Sequence, residues 1–284
     1  MMPNNSPISP VLDHVVVNVM DRLDEAANQY SRLGFHLTER GHHTLGTSNN
    51  LAVFDTNYLE LLGFLPERQK TQPNFWQHPP GLSGLVFKSV DPNLIHDTLS
   101  AREISVEEPM SFSRPVKVGE TTEEARFTVV RVTGNHVQNG RVFFCHHWTP
   151  ELVWRPEWQS HRNGALNVAE FVIASHEPSR TAALYEKMFG PGLLGPTSGG
   201  VAFQAGAARI LVLNPAAIAD RYAGAAMVSE DGSDGMVALA FKVESLDTPR
   251  KVFDVEAIPY RPMPSGGIII PYEHGANVAL AFIE

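Results

Sequence analysis

The chain has 284 residues, 43% hydrophobic and 19% charged, with a formal net charge of −9. That is a globular balance with room for one large domain or two of roughly 140 residues. No run reaches the about 18 apolar residues of a membrane span, and no Lys/Arg cluster offers a face to phosphates, so membrane and nucleic acid drop out as expected partners. The one cysteine, Cys145, excludes an internal disulfide and fits a reducing, cytoplasmic setting.

Residues 1–10, MMPNNSPISP, are polar and proline-rich, without the basic start and apolar centre of a signal peptide, and read as a flexible tail. DHVVVN, from Asp13, then reads as a β-branched strand. A polar turn follows, then a helix whose apolar face carries Leu23, Ala26, Ala27, Tyr30 and Leu33 and which stops at Gly34. FHLTER, NLAVFDT and YLELLGF follow as short strands. GLVFKSVDPNLIHDTLSARE, from Gly84, is again strand, turn and helix, followed by strands RFTVVRVTG and GRVFFCHHW.

Alternation lapses over residues 149–165 and the pattern restarts. AEFVIASHEPSRTAALYEKMFG, from Ala169, repeats the first strand and helix, and GVAFQAG and ARILVLN follow it. ALAFKVESLDTPRKVFDVEAI, from Ala238, repeats the second strand and helix, with GGIIIPY and VALAFIE after it. The chain is therefore four βαβββ-like units taken as two pairs, 11–155 and 156–284. This predicts an α+β fold, with helices packed outside curved, mixed and mostly antiparallel sheets.

One strand contains a puzzle. Alternation puts Tyr58, Glu60 and Leu62 on a single face, and a carboxylate buried there without a partner is costly. Either an arginine such as Arg40 satisfies it, or Glu60 belongs to a site. His146 and His147 are adjacent, so only one of them can share that face. His43, Thr47 and Asn49 sit in a turn ahead of the same sheet, either as contacts for a bound molecule or merely as a tight hairpin. Trp148 and Trp154 either wall an apolar pocket or pack at the joint between the pairs. No motif marks Cys145 as a nucleophile.

Paired βαβββ units opening on DHVVV, with YLELLGF closing the first, resemble the vicinal oxygen chelate superfamily of glyoxalase I, extradiol dioxygenases, bleomycin-resistance proteins and methylmalonyl-CoA epimerase. The turn at His43, Gly46, Thr47 and Asn49, the strand Tyr58-Leu59-Glu60 and the stretch FFCHHWTPELVW are similar, more narrowly, to the bacterial glyoxalase-like domain family. The resemblance implies two glyoxalase/bleomycin-resistance-like domains and metal ligands on the first and last strands of each unit. Carried over, those positions are His14, Glu60, Gly84, which has no side chain, and His146 on the last strand of the second unit, in the stretch FFCHHW.

His14, Glu60 and His146 have the composition of a two-histidine, one-carboxylate site for a divalent ion such as Fe, Mn, Zn, Ni or Mg. His147 is the candidate proton shuttle, and His43, Thr47, Asn49 and Trp148 are candidate substrate contacts. The implied activity is that of a metal-assisted lyase, isomerase or dioxygenase on a small oxygenated metabolite. The alternative is a metal-free protein that sequesters a small molecule. The second pair departs at the ligand positions, with Glu170 for His14 (Ala169 if the register slips by one), Leu211 or Arg209 for Glu60 and Ala238 for Gly84. It reads as a degenerate structural or dimerising copy, with a homodimer as the candidate assembly.

Overall fold

The computed structural model describes residues 8–65, 78–134 and 138–284. The first unit is β1 (Leu12–Met20), α1 (Leu23–Arg32), β2 (Gly41–His42), β3 (Ser48–Val53) and β4 (Tyr58–Gly63). The second is β5 (Gly81–Lys88), α2 (Pro92–Ala101), β6 (Met110–Val118), β7 (Thr121–Arg131) and β8 (Arg141–His147). Together they form one eight-stranded sheet in the order β2-β3-β4-β1-β5-β8-β7-β6.

The rest of the chain repeats this plan. β9 (Asn167–Ala174), α3 (Pro178–Phe189), β10 (Gly195–Thr197), β11 (Gly200–Ala205) and β12 (Ala208–Leu213) form the third unit. A short helix α4 (Pro215–Arg221) leads to β13 (Gly235–Lys242), α5 (Asp247–Val255), β14 (Arg261–Pro262), β15 (Ile268–Ile270) and β16 (Ala279–Ile283). The second sheet runs β10-β11-β12-β9-β13-β16-β15-β14, the same order unit for unit. Each sheet is mixed: β1/β4, β5/β8, β9/β12 and β13/β16 are parallel and the other neighbours antiparallel. Among the described residues no helix is long and apolar enough to cross a membrane.

Each sheet curls into a cup. In the first, the end strands nearly meet, with the Thr44 amide donating to the Ser113 carbonyl at 3.0 Å. Strand alternation separates two cores. Val15, Val17, Leu59, Leu61, Leu85 and Phe87 face outward and pack with the helices and with Phe171, Phe241 and Phe282 of the second sheet. Phe35 bridges the halves, 5.0 Å from Phe241 between ring centroids. Two polar links reinforce the joint: Asn57 donates to the Val168 carbonyl at 3.1 Å, and the Val168 amide donates back to Asn57 at 2.9 Å. The inward faces form separate clusters, one per cup.

Several sequence expectations change. FHLTER is not a strand: the paired segment is Gly41–His42, and Thr38 meets β3 by donating its amide to the Leu51 carbonyl, accepting the Leu51 amide at its hydroxyl and accepting from the Asn50 side chain at its carbonyl. The edge strand β6 and helix α4 have no counterpart in the sequence reading. Pro115 and the mixed polarity of MSFSRPVKV hide the first. Of the expected tail, residues 1–7 lie outside the described residues, while Ile8 is 4% exposed and joins the shared core.

The register also corrects an alignment. His14 lies opposite Val86 and Gly84 opposite Val16, so His14 and Gly84 are symmetry counterparts across the β1/β5 pair. Glu60 pairs with Val16, and Phe143 pairs with Val86. The counterpart of Glu60 is therefore Phe143, not His146. The two readings differ by an odd number of residues, and an odd slip turns every side chain to the other face.

Candidate functional site

The first cup contains a cleft of about 630 Å³, counting its open mouth, walled by alternate residues of six of its strands and by the β2–β3 turn. Leu51, Leu62, Phe112, Phe127, Val129 and Phe143 supply the apolar wall, and His14, His43, Glu60, Arg114, Arg131 and Arg141 the ionisable groups. Glu60 is 6% exposed. Its Oε2 lies 3.7 Å from His14 Nε2 and its Oε1 lies 4.0 Å from His43 Nε2. Asn49 Nδ2 donates to Glu60 Oε1 at 2.6 Å and to His43 Nε2 at 3.2 Å. With Nε2 thus accepting, Nδ1 of His43 carries the proton and donates to Thr47 Oγ1 at 2.7 Å. Burial pushes the His43 pKa down to about 4, against the pull of Glu60, so this imidazole is neutral at pH 7. Arg40, by contrast, binds Asp24 and Asn50 and plays no part in holding Glu60.

His14 is fixed from behind. Its ring stacks on Tyr58 with centroids 4.3 Å apart and planes 11° apart, and its Nδ1 donates to Asp13 Oδ2 at 2.6 Å. The same oxygen accepts from His147 Nε2 at 2.9 Å. In a regular strand, neighbours such as Asp13 and His14 point to opposite faces. The pairing slips between Leu12 and His14, leaving Asp13 as the extra residue of a bulge on the cup side of the sheet. Burial opposes ionisation of Asp13, but the His147 charge and hydrogen bonds from both rings hold its carboxyl well below the usual carboxylate range. Charge-assisted bonds of this kind contribute about 1.5–3 kcal/mol each, enough to offset the several kcal/mol that burying a carboxylate costs.

The sequence-predicted residues divide accordingly. His14 and Glu60 meet, and His43, Thr47 and Asn49 line the cleft. His146 faces away, its Nδ1 donating to the Ser89 carbonyl at 2.8 Å and its ring against Trp148. The expected set His14, Glu60 and His146 is therefore not assembled. His147 takes the cup-facing place, bound to Asp13. Trp148 is 55% exposed, donates to Thr128 and lies outside the cleft. Its neighbour Trp154 packs instead against Tyr58 and His147. Burial raises the Cys145 thiol pKa, with Asp13 and Glu60 adding to the effect, so the thiol stays protonated and is no nucleophile.

Sequence reasoning missed Asp13 and Arg114. The bulge conceals Asp13, although its place beside a histidine on a strand otherwise made of valines was a signal. Arg114 sits on the unforeseen β6.

Among the described residues two groupings could hold a divalent ion, both through His14. One ligand atom each from Asp13, His14 and His147 lie within 4.8 Å of one another, the composition of a two-histidine, one-carboxylate site. Asp13 Oδ1 and His147 Nδ1 are buried without hydrogen-bond partners, so this cluster has coordinating capacity that the protein itself leaves unused. The other grouping is His14 Nε2 with Glu60, inside the cleft. At the two remaining ligand positions register places Gly84 and Phe143. A Cβ at residue 84 would meet Val16 Cβ at 2.6 Å, so no ligand side chain fits there.

No curated protein matches the chain. Among solved structures it is similar over 96% of its length to a hypothetical protein from Staphylococcus aureus, with 98% of that chain covered, a TM-score of 0.65 and 13% identity. It is similar over 97% of its length to a mutant of 4-hydroxymandelate synthase from Streptomyces coelicolor, with 92% of that chain covered, a TM-score of 0.59 and 12% identity. A fusion protein of a xylose isomerase-like TIM barrel and 4-hydroxyphenylpyruvate dioxygenase aligns with 99% of the chain over 51% of its own, with a TM-score of 0.53 and 13% identity. At such identities the likeness concerns the fold. Residues 12–189, well over half the chain, match the glyoxalase-like domain. The chain belongs to this glyoxalase-like domain family, within the vicinal oxygen chelate superfamily that its repeat resembles.

Proposed function

We propose that the first cup is the active site of an enzyme, a metal-assisted lyase, isomerase or dioxygenase acting on a small oxygenated metabolite. The observation that carries this reading is the approach of His14 Nε2 to the Glu60 carboxylate, 3.7 Å apart and both buried, in the wall of an apolar cleft. Asp13 fixes the tautomer of His14: with Nδ1 protonated toward the carboxylate, the neutral ring keeps its lone pair at Nε2, the nitrogen that faces the cleft. His14 Nε2 thus presents one lone pair to the cleft: it would ligate an ion held together with Glu60, or, with no ion at that nitrogen, take a proton from a substrate seated against Glu60, with Asp13 stabilising the imidazolium that results. His147 holds the second side of Asp13, and Tyr58 fixes the ring plane of His14. A bound divalent ion would supply a Lewis acid beside the substrate oxygens. Residues of the apolar wall would exclude water.

The test is elemental analysis of the purified protein, with thermal melts after EDTA treatment and after adding back Mn, Fe or Zn. A stabilising ion is expected. Loss of the ion in Glu60→Gln would place it in the cleft, and loss in Asp13→Asn or His147→Gln would place it behind His14. No ion in the protein and no stabilisation by any of the metals would overturn the metal-assisted reading.

One observation favours a second reading, a metal-free binding protein. Asn49 already donates to both Glu60 and His43, so the carboxylate is satisfied without an ion. That reading predicts ligand binding that EDTA leaves unchanged.

A further inference from the structure

The cleft holds a cation with no ion-pair partner among the described residues. Arg114, on β6, is 3% exposed and lines the cleft. Among the described residues it forms no ion pair, and its Nη2 is buried without a hydrogen-bond partner. A buried guanidinium left so is costly, by several kcal/mol after relaxation, and buried charges are normally paired or bind ligands. The fold makes room for it: a Cβ at Gly41 would stand 3.0 Å from Arg114 Cδ and 3.1 Å from its Nη1. The balance of the cleft points the same way. Three arginines face a single carboxylate, Glu60, in a chain whose net charge is −9. Arg131 is paired with Glu107 at 3.0 Å, whereas Arg114 has no such pair among the described residues.

Resting on the reading that the first cup is the ligand site, we infer that Arg114 binds the carboxylate of an organic acid whose apolar body lies against Phe112, Phe127 and Phe143. The guanidinium offers the planar donor fork that a carboxylate accepts. The three phenyl groups and Leu51, Leu62 and Val129 set an apolar partner beside it. The substrate class is thus a small aryl or branched-alkyl carboxylic acid, held by its carboxylate at Arg114 with its oxygenated carbon toward His14 and Glu60.

Calorimetry with two matched pairs of probes tests this: phenylacetate against phenylacetamide, and benzoate against benzamide. The carboxylates are expected to bind at least 10-fold more tightly than the amides. Arg114→Met, an apolar replacement of similar length, should abolish that preference while leaving amide binding unchanged, and Arg114→Lys should restore part of it. A purely structural role for Arg114 would move both members of a pair together. Equal binding of acid and amide, a preference that survives Arg114→Met, or no binding of either acid would overturn the inference. Binding of inorganic phosphate in place of the acids would overturn the organic-acid assignment. His14→Gln should keep the acid preference, so loss of metal or proton chemistry and loss of anion recognition are read separately.

Discussion

The two cups share one backbone plan and differ in what fills them. Both carry the same bulge on their first strand: pairing slips between Leu12 and His14 against β5, and between Val168 and Glu170 against β13. The extra residue is Asp13 in the first cup and Ala169 in the second. Register then sets Glu170 against His14, Arg209 against Tyr58, Leu211 against Glu60, Ala238 against Gly84 and Ala281 against Phe143. In the second cup alanines at 238, 240, 279 and 281 leave space that α4 enters, with Ile218 and Tyr222 packed among them. Its inward carboxylate Glu170 is closed off by Arg221 of the same helix through two hydrogen bonds of 2.7 Å. In the first cup the polar groups face a cleft instead, and Arg114 has no such partner among the described residues. An open site and a plugged one therefore differ by a handful of inward residues and one helix.

Removing the plug should give the largest effect on stability. Tyr222 is fully buried, and truncating a buried aromatic costs about 3–5 kcal/mol. Tyr222→Ala should lower stability in urea by that amount while leaving probe binding in the first cup unchanged. Lost binding would show that the second cup props up the first and that the two are not independent.

A titration should sharpen the contrast next. His43 of the first cup and His161, in the joint and bonded to the Val53 carbonyl of the first half, are buried, and burial pushes the pKa of each down to about 4 from 6.5. His176 and His274 of the second half are exposed. Because the folded pKa lies below the unfolded one, the unfolded chain binds protons first as the pH drops. The contribution is complete above pH 6.5 and is lost as pH falls toward about 4. At about 1.4 kcal/mol per pH unit, each histidine accounts for roughly 3 kcal/mol across that window. Urea unfolding of His161→Gln should show a shallower loss than the wild type between pH 6.5 and 4. Equal slopes would remove this histidine from the account.

The smallest expected effect concerns a matched pair of positions. Ala238 carries a Cβ where its counterpart Gly84 has none, and at Gly84 an added Cβ would meet Val16 at 2.6 Å. Gly84→Ala should cost about 1–3 kcal/mol as overpacking, read as a lower urea midpoint. A neutral result would mean that the β1/β5 pair can relax toward the spacing of β9/β13.

Much of this was legible in the chain itself. DHVVVN and AEFVIA, GLVFK and ALAFK, and the helices after them announce a fourfold pattern because period-2 and period-3.6 apolar spacing survives in each copy. Glu60 stood out because a carboxylate on an alternating apolar strand has to be satisfied somewhere. His146 misled because motif similarity carries no hydrogen-bond register, and a slip by three residues put the wrong histidine into the cup. Arg114 was hidden on a strand whose proline and charges read as loop.

By itself, then, the sequence determined the four-unit repeat, the α+β architecture, the anomaly of a carboxylate at Glu60 and the divergence of the second half, which follow from local periodicity and from the cost of burying charge; the joining of His14 with Glu60 was implied only by the family resemblance. Tertiary structure alone decided which of His146 and His147 faces the cup, that a bulge brings Asp13 beneath both His14 and His147, that α4 fills the second cup, and that Arg114 enters the first one with no ion-pair partner among the described residues. Each of these depends on strand register or on the packing of elements distant in sequence, which no local pattern encodes.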